Sequence, residues 1–275
     1  MRWIYAGTAL VAAALSLPVA CTNFDLEMHN KRVSENFSGE ITAPGDLDPA
    51  GTNNFTFIIM GDTHIGSPGG EVMRRIVEAG VAAGDAFAVI AGDVTQGGLD
   101  GEFAQFKTVF SNNSLPFRAA IGNHDLYFGG WERFRQQLGR SIYSFNADNV
   151  HFVMIDSGNG ILGKRQLQWL EDDLRVNTRP HVVIVTHFPP WNGHFSSIYK
   201  MSSEEEAAVL KDIAFRHGVD IIAAGHYHGF AEKDIGRTKY IVTGGANDLI
   251  DLGQRMNYVR VRVAGDAMTI EVVYP

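Results

Sequence analysis

Asp, Asn and His side chains follow the ends of several apolar stretches in this sequence of 275 residues. One such stretch, residues 86–91, ends in Gly92 and Asp93. A carboxylate at the end of a buried strand needs compensation, because burying an unpaired charge is costly. Carboxylate oxygen and imidazole nitrogen suit Mn, Fe, Zn and Co ions. The side chains at these ends are Asp62, His64, Asp93, Asn123, His124, Asp125, His187, His226 and His228. We therefore predict a metal centre in which Asp93 bridges two cations.

Short apolar runs of the length of buried strands must position these side chains. Five of the runs end in Asp, Asn or His, and in four of them that residue comes directly after a glycine. In open α/β sheets, ligands bind beyond the carboxyl ends of the strands, so the side chains should converge on one crevice. The runs are residues 55–60, 86–91, 116–121, 150–155, 181–186 and 219–224.

Segments with helical spacing lie between the strand-like runs. Leu167, Leu170 and Leu174 form one apolar stripe, and the segment from Ser202 to Gly218 opens with acidic residues and closes with glycine. The C-terminal runs alternate like half-exposed, antiparallel strands. The pattern predicts an α/β fold with a mixed or double sheet covered by helices. The helical segments are residues 70–84, 102–110, 164–176 and 202–218.

Composition restricts the classes of function. Cys21 is the only cysteine, so neither an intrachain disulfide nor a thiolate metal cluster can form. A net charge of −8 argues against a general nucleic-acid-binding surface. It leaves phosphate chemistry open, because bound cations reverse the field of an acidic site.

The N-terminus has the pattern of an export signal. Arg2 precedes an apolar run that is too short to span a bilayer comfortably, and cleavage after Ala20 would leave Cys21 at the mature N-terminus. This pattern resembles a bacterial lipoprotein signal, although Pro18 stands where such signals usually carry Leu; an ordinary secretory signal is the alternative. We expect an exported protein with a lipid anchor on Cys21, periplasmic or at the cell surface. The predicted divisions are a signal peptide (1–20), a polar tether or surface segment (21–54) and a domain (55–275).

The order of the motifs resembles the calcineurin-like metallophosphoesterase superfamily over roughly residues 55–230. In this sequence the motifs read Gly-Asp-x-His, Gly-Asp, Gly-Asn-His-Asp, His and Gly-His-x-His. The resemblance implies a four-layer αββα sandwich, with two mixed β-sheets face to face and helices outside. It also implies two divalent or mixed-valence ions, from Mn, Fe, Zn or Co. One ion would be held by Asp62, His64, Asp93 and His228, and the other by Asp93, Asn123, His187 and His226.

The chemistry implied is hydrolysis of phosphate esters by a hydroxide that the two metals share. His124 would assist the leaving group, and Asp125 would orient His124. We expect a small phosphate-ester substrate and leave open a phosphomonoester, a phosphodiester or, as a further alternative, exonuclease activity. The alternative hypothesis is a surface scaffold of the same fold that binds metal but does not catalyse a reaction.

Departures from the family pattern refine this hypothesis. Gln96 stands where purple acid phosphatases carry a metal-binding tyrosine, which argues against a ferric-tyrosinate enzyme. Phe188 replaces a second His that many relatives have after the fourth motif, which leaves substrate contacts open. Asp156 is interpreted as a structural residue in preference to a ligand. The loop after His187 is the candidate substrate wall, with contacts proposed for Trp191, His194 and Tyr199.

Overall fold

The computed structural model describes residues 19–49, 53–66, 70–191, 199–246 and 255–275. The side chains of residues 19–25, including that of Cys21, and the whole of His194 lie outside the described part of the chain. Among the residues described, no helix is both long enough and apolar enough to cross a membrane.

Within these ranges the chain forms six α-helices and eleven β-strands, with a 3-10 helix at His124–Gly129. Their bounds in chain order are α1 (Val19–Asn36), β1 (Asn54–Met60), α2 (Gly70–Ala83), β2 (Ala88–Ile90), α3 (Asp100–Asn113), β3 (Phe117–Ala119), α4 (Gly130–Gln137), β4 (Tyr143–Ala147), β5 (Val150–Met154), α5 (Lys164–Val176), β6 (His181–Val185), α6 (Glu204–Arg216), β7 (Ile221–Ala224), β8 (Phe230–Ile235), β9 (Thr238–Thr243), β10 (Tyr258–Ala264) and β11 (Ala267–Val273).

Two mixed sheets contain these strands. One has five strands in the order β11-β10-β1-β2-β3, and the other has six in the order β4-β5-β6-β7-β9-β8. The strands β1, β2 and β3 are parallel, as are β5, β6, β7 and β9. The carboxyl ends of the parallel strands therefore all lie on the same side of their sheet, in a row across the strand ends.

Alternating side chains of β1 show how the layers pack. Phe57 and Ile59 belong to the apolar cluster between the sheets, where Phe57 meets Phe152 edge to face with ring centroids 5.1 Å apart. Ile58 and Met60 pack instead in the cluster formed with α2, α3 and α4. A third cluster joins the six-stranded sheet to α5 and α6. The predicted αββα sandwich is confirmed. Burial of each of these four β1 side chains contributes about 1.5–3 kcal/mol to the stability of the fold through loss of contact with water.

The structure differs from the sequence prediction in several elements. The helices α1 and α4 and the strands β4 and β8 were not predicted. In the part of α1 whose side chains are described, from Leu26 onward, the buried side chains are His29, Arg32, Val33 and Asn36, so no apolar stripe marks this part of the helix. Strands β10 and β11 are antiparallel as expected. Strand β9 pairs antiparallel with β8 but parallel with β7. The reason is that β8 carries the chain back to the end of the sheet at which β7 begins.

Candidate metal centre

The loops at the carboxyl ends of β1, β2, β3, β6 and β7 converge at one point where the two sheets meet. Glycines allow this close approach. A Cβ on Gly122 would overlap the Asp93 carboxylate, and a Cβ on Gly92 would lie within 3 Å of the His187 ring. Gly92 also has a φ of +83°, which favours glycine. The glycine that precedes Asp93 is therefore required both by the turn and by the neighbouring imidazole.

Five of the predicted metal ligands adopt a left-handed backbone conformation that non-glycine residues rarely take. Each such residue costs of order 1–3 kcal/mol and persists only where the surrounding structure imposes it. Backbone strain is thus concentrated at the crevice, where it fixes the directions of the side chains. The residues and their φ angles are Asp62 at 53°, His64 at 42°, Asp93 at 50°, His226 at 70° and His228 at 54°.

One cluster of possible ligands consists of Asp62, His64, Asp93 and His228, each of which offers an atom within 4.8 Å of the others. The Nε2 atoms of His64 and His228 are 3.1 Å apart. The Nε2 atom of His64 is 3.5 Å from Oδ2 of Asp93. This spacing suits a single cation between the side chains, and the donor set is the one predicted for the first metal.

The second cluster consists of Asp93, His187 and His226. His226 Nδ1 lies 3.2 Å from His187 Nε2, and Asn123 Oδ1 lies 3.0 Å from the same atom. The Nδ1–H of His187 donates to the Ala91 carbonyl at 2.9 Å, which leaves Nε2 facing the cluster. Asp93 belongs to both clusters, a position from which its carboxylate could bridge two cations.

The electrostatics of the buried groups fit bound cations. Burial, together with neighbouring imidazoles, lowers the pKa of His64 to about 3, so that its ring is neutral. Burial also raises the pKa of Asp62, and the charge of Asp93 adds to this effect. Oδ2 of Asp93 is buried without a hydrogen-bond partner among the described residues. Burial opposes protonation of His187, but the charge and proximity of Asp93 raise its pKa to about 9. Cations between these groups would satisfy the Asp93 oxygen and stabilise both carboxylates.

His124 lies beside the first cluster and is partly exposed. Its ring centroid is 4.4 Å from that of His64. Its Nδ1–H donates to the backbone carbonyl of Gln96 at 2.8 Å, and its backbone N–H donates to Asp93 Oδ1 at 2.8 Å. The ring is therefore held through Nδ1, and Nε2 is the nitrogen left for a substrate.

Asp125 does not hold the His124 ring, which corrects the expectation from the sequence. Its carboxylate is buried and accepts hydrogen bonds from the backbone N–H groups of Thr95 and Gly122, both at 2.9 Å, and from the Thr95 hydroxyl at 2.8 Å. Burial, with repulsion from Asp93, raises the pKa of Asp125 to about 6. Asp125 thus fastens the loop after β2 to the loop after β3, and it is the Gln96 carbonyl that orients His124.

The candidate substrate wall is only partly as expected. Trp191 is 4% exposed and packs in the cluster beneath α6, with its ring 5.5 Å from Tyr240. It is a core residue, because its large ring fills space between the sheet and the helix. Tyr199 lies near the crevice, with its ring 6.0 Å from His226. Phe188 packs on His226 at 3.8 Å. Tyr127, which no sequence motif marks, is an exposed residue whose ring lies 4.7 Å from that of His124.

Comparisons with known proteins agree with this geometry. The family model described as calcineurin-like phosphoesterase matches residues 55–230. The chain is 37% identical over 132 residues to "Purple acid phosphatase 23" of Arabidopsis thaliana, a match that covers 46% of this chain and 24% of that protein. It is 28% identical over 174 residues to a "Probable cyclic nucleotide phosphodiesterase" of Rhodococcus erythropolis, covering 58% of this chain and 56% of that protein. This chain therefore spans less than two thirds of either relative.

A solved structure shares the fold. The structure described as a dimetal phosphatase from Danio rerio superposes with a TM-score of 0.62 at 14% identity. The superposition covers 79% of this chain and 95% of that one. At this identity the likeness demonstrates the common αββα architecture.

Proposed function

The chain belongs to the calcineurin-like phosphoesterase family, and on that premise we propose that it hydrolyses small phosphate esters with a pair of transition-metal ions. One observation carries the proposal. Asp93 is shared by both ligand clusters, and its buried Oδ2 atom has no hydrogen-bond partner among the described residues. The ligand sets remain those named above, and Asn123 adds an amide oxygen to the second set.

The residues of the chain would divide the chemistry between them. When bound, two such cations supply a water of lowered pKa and neutralise charge on the phosphoryl group. His124 in its doubly protonated form carries a proton on Nε2, which can be transferred to the leaving oxygen. The Gln96 carbonyl holds the ring for that transfer through Nδ1. General acid assistance of this kind contributes about 10²–10⁴-fold in rate.

Two features of the sequence limit which metals and which class of substrate we propose. The side chain three residues after Asp93 is Gln96, so this position offers no phenolate to a ferric ion. We therefore propose Mn, Fe, Zn or Co without tyrosinate ligation. The net charge of −8 favours a small ester over a long nucleic acid.

Export and lipid anchoring are a separate proposal, supported by the N-terminal sequence alone. The described helix α1 (Val19–Asn36) includes the backbone of Cys21. Replacing Cys21 by Ser should release the protein from the membrane fraction of cells, whereas the unaltered protein should partition with membranes. Continued partitioning of the Cys21→Ser protein would exclude a lipid on this residue.

The decisive experiment tests metal dependence and ester preference together. The purified protein would be stripped of metal and reloaded separately with Mn, Zn, Fe or Mg. Hydrolysis of an aryl phosphomonoester and an aryl phosphodiester would then be measured, with Asp93→Asn as the control. We expect turnover that requires metal and is lost in Asp93→Asn. Metal binding without turnover across a wider library of esters would favour the scaffold alternative.

A further inference from the structure

A recess of about 340 Å³ lies beside the second ligand cluster. Six residues line it, and none of them is charged. Asn123, whose amide oxygen faces His187, connects the recess to the metal centre. An uncharged recess next to a phosphate-binding site suits the organic part of an ester and does not suit a second phosphate. The lining residues are Asn123, Leu126, Tyr127, Gly158, Asn159 and Phe188.

Two aromatic residues line this recess, one from each sheet. Tyr127 follows β3 of the five-stranded sheet and is 44% exposed, and Phe188 follows β6 of the six-stranded sheet. Tyr127 also lies beside His124, the proposed proton donor to the leaving group. A flat ring bound here would gain stacking and apolar contact with both aromatic side chains. The side-chain amides of Asn123 and Asn159 supply polar groups at the same recess.

The helix α1 supports one wall of the recess through a buried ion pair. Arg32 is 2% exposed and donates from Nε to Oδ2 of Asp156 at 2.6 Å and from Nη2 to Oδ1 at 2.9 Å. Nη2 also donates to the Asn159 side-chain oxygen at 2.8 Å. Asp156 in turn accepts from the backbone N–H of Gly158 at 3.1 Å. A single guanidinium thus fixes both ends of the 156–159 turn, and a bidentate arrangement restricts its orientation.

The same turn holds the loop that carries Phe188. The Ser157 hydroxyl oxygen accepts hydrogen bonds from the backbone N–H groups of His187 at 3.1 Å and Phe188 at 2.8 Å. The Thr186 hydroxyl donates to the same oxygen at 2.7 Å. A displacement of the 156–159 turn would therefore move an aromatic wall of the recess.

We propose that this recess binds the organic group of the ester as an uncharged planar ring, and that Arg32 positions the wall formed by residues 156–159. The inference rests on the proposed phosphoesterase function. It assigns Arg32 as a positioning residue that acts through Asp156 and Asn159.

Calorimetric binding to the zinc-loaded protein tests the recess without turnover. Phenylphosphonate and methylphosphonate share the phosphoryl group and differ in the organic group. We expect tighter binding of phenylphosphonate. Tyr127→Ala should weaken phenylphosphonate binding roughly three- to tenfold and leave the affinity for methylphosphonate unchanged. The control is Phe215→Ala, an aromatic side chain that is 66% exposed at the end of α6, on the opposite edge of the sheet.

Arg32 is tested against a second Arg–Asp pair far from the site. Arg260 donates from Nε and Nη2 to Asp85, which precedes β2 at the edge opposite the metal centre. Arg32→Lys and Arg32→Ala should each weaken phenylphosphonate binding roughly three- to tenfold. Arg260→Ala should lower the melting temperature without changing the ratio of the two affinities. Should Arg32→Ala fail to fold, Asn159→Ala tests the same wall and leaves the ion pair intact.

The outcomes separate this inference from the proposed function. Equal affinities for the two phosphonates would overturn the recess proposal even if the protein hydrolyses esters. The proposal would also fail if the controls, Phe215→Ala and Arg260→Ala, lost as much affinity for phenylphosphonate as Tyr127→Ala and Arg32→Ala. A preference for phenylphosphonate that depends on Tyr127 and Arg32 supports the recess, and it does so even if no ester is turned over.

Discussion

His124 and Asp125 are neighbours in the sequence, yet their side chains contact different parts of the molecule. The His124 ring lies at the crevice, while the Asp125 carboxylate is buried among backbone N–H groups of two loops. Removing either side chain should therefore have a distinct effect on the protein.

Replacing His124 by Ala should lower kcat by about 10²–10⁴-fold while both metals are retained, because the ring assists the leaving group and belongs to neither ligand cluster. Metal content and kcat of the purified variant measure the two effects. Full turnover in His124→Ala would rule out the assigned role, and loss of metal would place the ring among the ligands.

Replacing Asp125 by Ala should mainly lower stability, by about 1–3 kcal/mol or more, because buried backbone donors lose their acceptor. Chemical denaturation measures this loss. Thr108→Ala, which removes an exposed hydroxyl bonded within α3, is the control and should have a small effect. An Asp125→Ala protein of unchanged stability would contradict the role of this carboxylate in joining the loops.

At the scale of residues, the sequence reveals types and spacings but not contacts. The possible ligands could be predicted because they follow glycines at strand ends in a recognisable order. The bond from His124 to the Gln96 carbonyl leaves no pattern, since every residue has a carbonyl. The pairing of Arg32 with Asp156 is equally hidden, because no periodicity links the two positions.

At the scale of elements, the predicted helices and strands are those with a clear apolar face. The helix α5 spans Lys164–Val176, the range that its leucine stripe predicted. The start of α6 was also predicted, and Ser203 there accepts a hydrogen bond from the Glu206 N–H at 3.2 Å. In contrast, α1 docks through buried polar groups whose partners lie more than 100 residues away. Tertiary contacts of this kind determine a helix without marking it in the local sequence.

Docking of α1 should weaken in mild acid. His29 is fully buried, with Nε2 3.1 Å from the Leu162 carbonyl and Nδ1 3.5 Å from Arg32, and burial lowers its pKa. Below the ordinary histidine pKa of about 6.5 the unfolded chain binds a proton that the folded chain does not. The free energy of unfolding should therefore fall as the pH drops below that value, by at most about 1.4 kcal/mol per pH unit from this residue.

Denaturation at pH 7, 6 and 5 tests this dependence. The variant His29→Gln cannot take up the proton, so its stability should change less with pH than that of the parent protein. Parallel curves for the two proteins would show that His29 does not contribute to the acid sensitivity.

At the scale of the whole molecule, the candidate metal ligands come from both sheets. Asp62, His64 and Asp93 follow strands of the five-stranded sheet, whereas His187 and His228 follow strands of the six-stranded sheet. Cations held between them would link the halves of the sandwich, in addition to the apolar cluster between the sheets.

Metal removal should therefore lower the melting temperature of the entire domain. A ligand that binds only the folded state contributes about 2.7 kcal/mol when its free concentration is 100 times its Kd. Thermal unfolding with metal and with a chelator measures the difference, and Asp93→Asn should show a smaller one. An identical melting temperature with and without metal would contradict a link between the sheets.

The division of the ligands between the sheets also determines when a newly made chain could acquire its metals. The N-terminal part of the polypeptide supplies Asp62, His64, Asp93 and Asn123, but the first cluster also needs His228 and the second needs His187 and His226. During synthesis, neither cluster can be complete before the strands β6 and β7, which precede these histidines, have been made and have paired. Binding of both metals would therefore wait until most of the domain has been synthesised. The ions available at the place where folding finishes would then decide which metals it carries.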